Sequence, residues 1–135
     1  MRKSAFLLIL APFLYATAAH AEWSLVWQDD FSKIYLDPAS VKKGDDGSTL
    51  AKALTDYNPH SPEAIDFKLA EKGLSEIESA RFDCAKQAYR SDGGSWFAGH
   101  MATGAVRSDY PARATWGKVP YFYQTLAGKV CPINQ

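Results

Sequence analysis

Ile34-Tyr35-Leu36-Asp37-Pro38-Ala39-Ser40-Val41-Lys42-Lys43-Gly44-Asp45-Asp46-Gly47 (IYLDPASVKKGDDG) is the stretch from which the architecture can be read. Ile34 and Leu36 oppose Tyr35, the alternation of a short strand over residues 33–37. Pro38 has no N–H to give to a ladder, so pairing weakens there. Ala39-Ser40-Val41 makes a one-turn excursion, and Asp46-Gly47 supplies the positive φ that a tight reversal requires. Residues 49–57 (TLAKALTDY) then resume an extended segment. The stretch is a decorated connection between two strands: it specifies shape, not a reaction.

Upstream, Trp23, Leu25 and Trp27 recur at period two and predict a strand with one buried face, closed by the polar break Asp29-Asp30. Downstream, residues 58–62 (NPHSP) are rich in turn formers. Residues 63–72 alternate Ile65, Phe67 and Leu69 but also hold Ala, Glu and Lys; they read as an irregular excursion, with a short helix as the alternative. Residues 74–89 carry Ala80, Phe82 and Cys84 on one face and predict one long strand. Residues 91–95 (SDGGS) read as a hairpin turn, Trp96-Phe97 as the opening of the next strand, and residues 103–109 as a further strand before Pro111. The period then changes. Pro120 suits a first helical turn; Phe122, Leu126 and Val130 recur by four, as do Tyr123, Ala127 and Cys131, making an apolar stripe that ends at Pro132. The predicted class is α+β: one antiparallel sheet of five or six strands with a C-terminal helix laid across it. Trp23, Trp27, Phe82, Phe122 and Leu126 are assigned to its core.

Residues 1–21 stand apart. Arg2 and Lys3 precede the apolar run AFLLILAPFL, and Ala19-His20-Ala21 fits a small-residue cleavage site, so a secretory signal peptide is expected to be removed before Glu22. The apolar run is shorter than the roughly 20 residues that span a bilayer. No cysteine follows the cleavage site to carry a lipid, which points to a periplasmic or secreted protein with its domain over residues 22–135 and no transmembrane segment in the mature chain. Without Arg2 and Lys3, the 15 basic residues fall to 13 against 15 acidic ones, a net charge of about −2. Such a domain has no global field to attract nucleic acid.

Cys84 and Cys131 both lie in the exported part, where oxidising conditions favour a disulfide. Redox and metal roles are the alternatives, but C-x-x-C is absent and no histidine stands at ligand spacing from either cysteine. A strand cysteine facing a helix cysteine would clip the two elements together.

Reaction motifs are not found. His60 sits in a Pro-rich turn and His100 follows Gly99; both are assigned exposed or packing roles, and no G-x-S-x-G surrounds a serine. Asp29-Asp30 and Asp45-Asp46 are explained by turn chemistry, without the D-x-[DN]-x-[DN]-G pattern of a calcium loop. Gly93-Gly94-Ser95 lacks the lysine of a phosphate loop. No catalytic residue, metal or cofactor is assigned. The aromatics carry more weight, because Tyr and Trp are favoured in recognition surfaces. Trp96 and Phe97, beside the glycine turn, are the candidates for an exposed contact, joined by Arg107, Tyr110 and Arg113 on a proline-broken segment.

Several of these pieces, taken in order, resemble the surface-adhesin protein E-like family of bacterial exported proteins. They are the early tryptophan, Tyr35-Leu36-Asp37-Pro38-Ala39-Ser40-Val41, Thr55-Asp56-Tyr57, Phe82-Asp83-Cys84, Trp116, and a last helix ending in Val130-Cys131. The resemblance spans nearly the whole mature chain. It implies a small antiparallel sheet with a C-terminal helix and a disulfide, and a non-enzymatic binding role toward a protein partner, a host-matrix or envelope protein. The chain departs from the family's lipid-anchored example in having no lipobox cysteine, and residues 58–73 look like an expansion. A small periplasmic enzyme, or a periplasmic inhibitor or assembly factor, is the alternative. An enzyme should show a concave pocket with a perturbed titratable pair, and a binding module an exposed aromatic patch or an open sheet edge.

Overall fold

The computed structural model describes residues 22–132; the predicted signal segment, residues 1–21, lies outside the described residues. Seven strands form one antiparallel sheet: β1 (Ser24–Gln28), β2 (Ser32–Lys43), β3 (Thr49–Tyr57), β4 (Ser75–Asp83), β5 (Ala88–Phe97), β6 (Val106–Tyr110) and the two-residue β7 (Gly117–Lys118). The first six follow one another in space as they do in sequence, and β7 adds to β5. Two one-turn helices, α1 (Glu63–Asp66) and α2 (Leu69–Lys72), lie between β3 and β4, and α3 (Gln124–Val130) is the last element among the described residues.

The stretch read first behaves as expected and is more continuous than expected. β2 runs through Pro38, but its pairing with β3 slips between Asp37↔Lys52 and Lys42↔Leu50, so residues 38–41 oppose Ala51 alone. The missing proline donor is bypassed by Ser40, whose hydroxyl donates to the Asp37 carbonyl (2.6 Å) and accepts the Lys52 N–H (2.8 Å). Gly47 takes φ +82°, as the reversal demands. The hairpin tip is then tied across the sheet. Arg81 reaches Asp46 (3.2 Å) and Ser48 (2.9 Å) and grips both Asp92 carboxylate oxygens. Hydrogen bonds from Ser48, and to a lesser degree the Arg81 charge, hold Asp46 below the usual carboxylate range, and the Arg81 hydrogen bonds do the same for Asp92.

Three expectations about strands are corrected. Residues 74–89 are not one strand. Asp83 ends β4, Gln87 turns at φ +51°, and β5 begins at Ala88, so the hairpin lies at 84–87. Residues 91–95 are correspondingly not a hairpin turn but the middle of β5. There the register steps from Glu78↔Gly94 to Ala80↔Ser91, leaving one extra residue and Gly93 at φ +96°. This is a bulge, which turns residues 94–97 over relative to a regular strand. In β1, a register shift between Leu25 and Trp27 breaks the simple alternation: Val26 and Trp27 pack on the core while Leu25 is 49% exposed.

One face of the sheet carries two separate apolar clusters. In the first, Ile34, Leu36, Ala51, Ala53, Ala80 and Phe82 receive Tyr123, Leu126 and Val130 from the terminal helix and the turn before it. Phe82 and Leu126 are thus buried as assigned, while Trp27 and Phe122 pack only partly buried against the cluster and Trp23 is also half-buried. Cys84 and Cys131 form the disulfide, with Cα atoms 5.6 Å apart. In the second cluster, Tyr57 and Trp96 receive Ala64 and Leu69 from α1 and α2. Lys68, at φ 55°, splits what would be one helix into two turns. Residues 63–72 are therefore two short helical turns, the helical alternative and not an irregular excursion, and Gly73 lets the return of this cap pass close to the sheet. At φ +130°, a Cβ there would overlap the Phe97 carbonyl.

Candidate ligand-binding cleft

One cap sits on each apolar cluster. Between them the inward face of β4 presents Glu76 and Glu78, which continue the period-two phase of Ala80 and Phe82. Opposite them stand Trp96 and Gly94 of β5, and Tyr110 of β6 pairs with Gly94. A cavity of about 400 Å³ opens on the β3 side, walled by Phe31, Tyr57, Phe67, Tyr121 and Phe122, with Glu63, Asp66 and Glu76 as its charged groups. A second, of about 640 Å³, opens on the β5 side over Glu78, Tyr89, Trp96, Tyr110 and Arg113. Phe67, Glu76 and Phe122 line both, so they divide one aromatic cleft into two lobes.

The walls are mutually fixed. Tyr57 stacks on Trp96 with centroids 5.4 Å apart and planes at 19°, and Phe67 stands 5.4 Å from Tyr57 and 5.4 Å from Phe31. Such pairs add about 0.5–1.5 kcal/mol each beyond the area they bury. Gly94 makes room for the Tyr110 ring, since a Cβ there would overlap its hydroxyl and the Ile77 carbonyl.

The floor is a carboxylate pair held by phenols. Tyr57 donates to Glu76 Oε1 (2.7 Å) and Tyr110 to Glu76 Oε2 (2.9 Å). Tyr89 donates to Glu78 Oε1 (2.5 Å), and Tyr110 also leans toward Glu78 Oε2 (3.4 Å). Glu78 is only 8% exposed, yet neither carboxylate forms an ion pair among the described residues. Burial, with the neighbouring Glu78 charge, raises the Glu76 carboxyl above its ordinary value against the lowering pull of the two tyrosines and Lys72. Burial and the same carboxylates push the Tyr57, Tyr89, Tyr110 and Tyr123 hydroxyls well up, so at neutral pH these phenols are fixed donors.

Because the fold favours protonated Glu76, stability from this group is present below the unfolded carboxylate's pKa, about 4.3, and is lost as pH rises through the higher folded value. Glu76→Gln is therefore expected to be at least as stable as the wild type at pH 7, with the difference vanishing in acid. Thermal unfolding at the two pH values checks this. A loss of about 1–3 kcal/mol at pH 7 would instead mark the ionised group as a structural anchor.

Of the residues singled out in the sequence, Trp96, Tyr110 and Arg113 line this cleft, and the backbone N–H of Arg113 is held by the Ser91 carbonyl (2.9 Å). Trp96 is a wall and not an exposed contact, being 8% exposed, because the bulge in β5 turns it inward. Phe97 points to the opposite face, half-buried, and Arg107 is exposed on β6; neither lines either lobe. Glu76 and Glu78 were missed, although the phase that placed Ala80 and Phe82 inward places them inward too. His60 is exposed in its turn; His100 Nδ1 lies 3.0 Å from Asp56, itself bound to the Met101 N–H, on the far side of β3. Among the described residues no group of His, Cys, Asp and Glu is arranged to hold a metal ion, and no helix is long and apolar enough to cross a membrane.

A single antiparallel meander, clipped to its last described helix by one disulfide and holding an aromatic cleft between two caps, defines a small α+β domain. The model of one family, surface-adhesin protein E, matches residues 23–132, and the chain belongs to that family. Searches of curated proteins and of solved structures returned no match. The family suggests an adhesin-like surface protein with a non-enzymatic role, and hence an exported one that binds other proteins.

Proposed function

We propose that this is a non-catalytic binding protein of the bacterial envelope, acting through protein–protein contacts, with the aromatic cleft as its recognition surface. The observation that carries the reading is the cleft itself: aromatic walls over a buried carboxylate floor whose tyrosines donate rather than titrate. Large rigid aromatic surfaces give contact area at small entropic cost. Exposed apolar groups stand beside it, Tyr121 at 67% in its wall and Ile65 at 84% on α1. Trp96, Tyr110 and Arg113 belong to this surface in our reading. Phe97 and Arg107 would contribute separately, Arg107 on the last strand of the meander, where strand addition at the open edge is available.

The partner is a host-matrix or an envelope protein, and the protein works exported, in the periplasm or outside. Protease treatment of intact cells separates the two: cleavage without opening the outer membrane is expected of a host-facing adhesin, and full protection excludes it. One observation favours a second reading, a small periplasmic enzyme. Glu76, its carboxyl raised by burial, sits beside Glu78 in a concave pocket of the kind an enzyme would need. Turnover of a glycoside or ester panel that disappears in Glu76→Gln would support that reading over ours.

A further inference from the structure

We infer that the cleft receives a basic side chain, a lysine or an arginine, projecting from the protein partner. The inference rests on the binding role proposed above and names the chemistry of the occupant. Four observations carry it.

The β3-side lobe is lined by three carboxylates, Glu63, Asp66 and Glu76, and by no lysine or arginine, so its potential is negative. Its walls are aromatic, and the faces of aromatic rings attract cations through their quadrupoles. The chain's own Lys72 already shows the preference. Its ammonium lies 3.8 Å from the centroid of Phe67 and 5.7 Å from that of Trp96, at the wall shared by the two lobes. Finally, Glu76 and Glu78 are desolvated carboxylates that form no ion pair among the described residues, Lys72 acting on Glu76 only from a distance, and each oxygen that accepts one tyrosine hydrogen retains a lone pair for a second donor. A cation entering beside Glu76 would relieve the repulsion from Glu78 that raises its carboxyl.

A side chain fits better than a free small cation because the mouth is not finished for a small molecule. Tyr121 stands largely exposed in the wall, and Ile65 projects from the same helical turn that brings Glu63 and Asp66 to the lobe. These groups would be covered by the body of a partner whose basic residue reaches the floor. Lys72 then acts as an internal competitor that the incoming cation displaces.

The test is an NMR titration of the purified protein with the peptide acetyl-Gly-Gly-Lys-Gly-Gly-amide and its Nε-acetyl-lysine counterpart, in wild type, Glu76→Gln and Lys72→Ala. We expect the Trp96 indole and the Phe67 and Glu76 amides to shift saturably with the lysine peptide and not with the acetylated one. Affinity should fall at least tenfold in Glu76→Gln and rise severalfold in Lys72→Ala, a gain no structural defect would produce. Equal shifts with the acetylated peptide overturn the inference, as does a Lys72→Ala variant that binds no better than wild type. Tenfold tighter binding of spermidine or choline overturns it in favour of a small cation. If the protein binds a matrix or envelope protein while the lysine peptide neither shifts these resonances nor competes, the basic side chain is excluded and the binding role stands. If it binds no protein at all, both fall.

Discussion

Removing the Cys84–Cys131 disulfide by paired serine substitution is expected to lower the unfolding free energy by about 4 kcal/mol. The bond closes a loop of 47 residues, and the chain-entropy relation gives that magnitude for a loop of this size. It joins the end of β4 to the end of α3, so it pins the cap over the first apolar cluster. That helix has seven residues, too short to hold its shape by hydrogen bonds alone. Its stability comes from Leu126 and Val130 packing on the sheet, and the sulfur bridge keeps them there when the sheet breathes. Urea unfolding of the oxidised wild type and the double serine variant measures the difference. Against a total stability of 5–15 kcal/mol for small domains, such a loss leaves little fold at 37 °C. A difference under about 1 kcal/mol would mean that the helix is held by packing alone.

Phe82→Ala is expected to cost about 3–5 kcal/mol, the range for truncating a buried phenylalanine where the surroundings cannot collapse. Phe82 is 1% exposed, between the sheet and the terminal helix, with ring contacts to Tyr89 at 5.9 Å and Tyr123 at 6.4 Å. Tyr89 is also the donor to Glu78, so the cavity would loosen one end of the cleft floor as well as the core. Phe82→Leu, which keeps most of the volume, should cost less than about 2 kcal/mol and preserve binding. Equal losses for the two variants would show that the site relaxes freely and that the packing argument is wrong.

The sequence was most readable where one residue type imposes one conformation. Pro38, Gly47 and the fourfold stripe from Phe122 to Cys131 led directly to the broken pairing, the hairpin and the capped helix. It was least readable where glycines serve two purposes. Gly93 and Gly94 looked like a reversal because a hairpin and a bulge both need a residue free of a Cβ. Only the partner strand, eight residues long in its pairing and facing β5 throughout, distinguishes them. That single misreading displaced the β4–β5 turn, put Trp96 outside the molecule, and hid the cleft. The cap formed by α1 and α2 was obscured for a different reason. Lys68 in a left-handed conformation gives neither a helical nor a strand period to the segment. Glu76 and Glu78 were missed although their phase is legible; glutamate on a strand is ordinarily solvated, and the burial of these two depends on Tyr57, Tyr89 and Tyr110, which converge from three other strands.

The central claim is that the carboxylate floor between the two caps is where a partner is recognised. Surface plasmon resonance of wild type and Glu76→Gln against an array of immobilised matrix and envelope proteins tests it most directly. We predict that every partner retained by the wild type is bound at least tenfold more weakly by Glu76→Gln while its melting temperature is unchanged or higher. A Glu76→Gln protein that keeps its partners at undiminished affinity would place recognition elsewhere on the molecule.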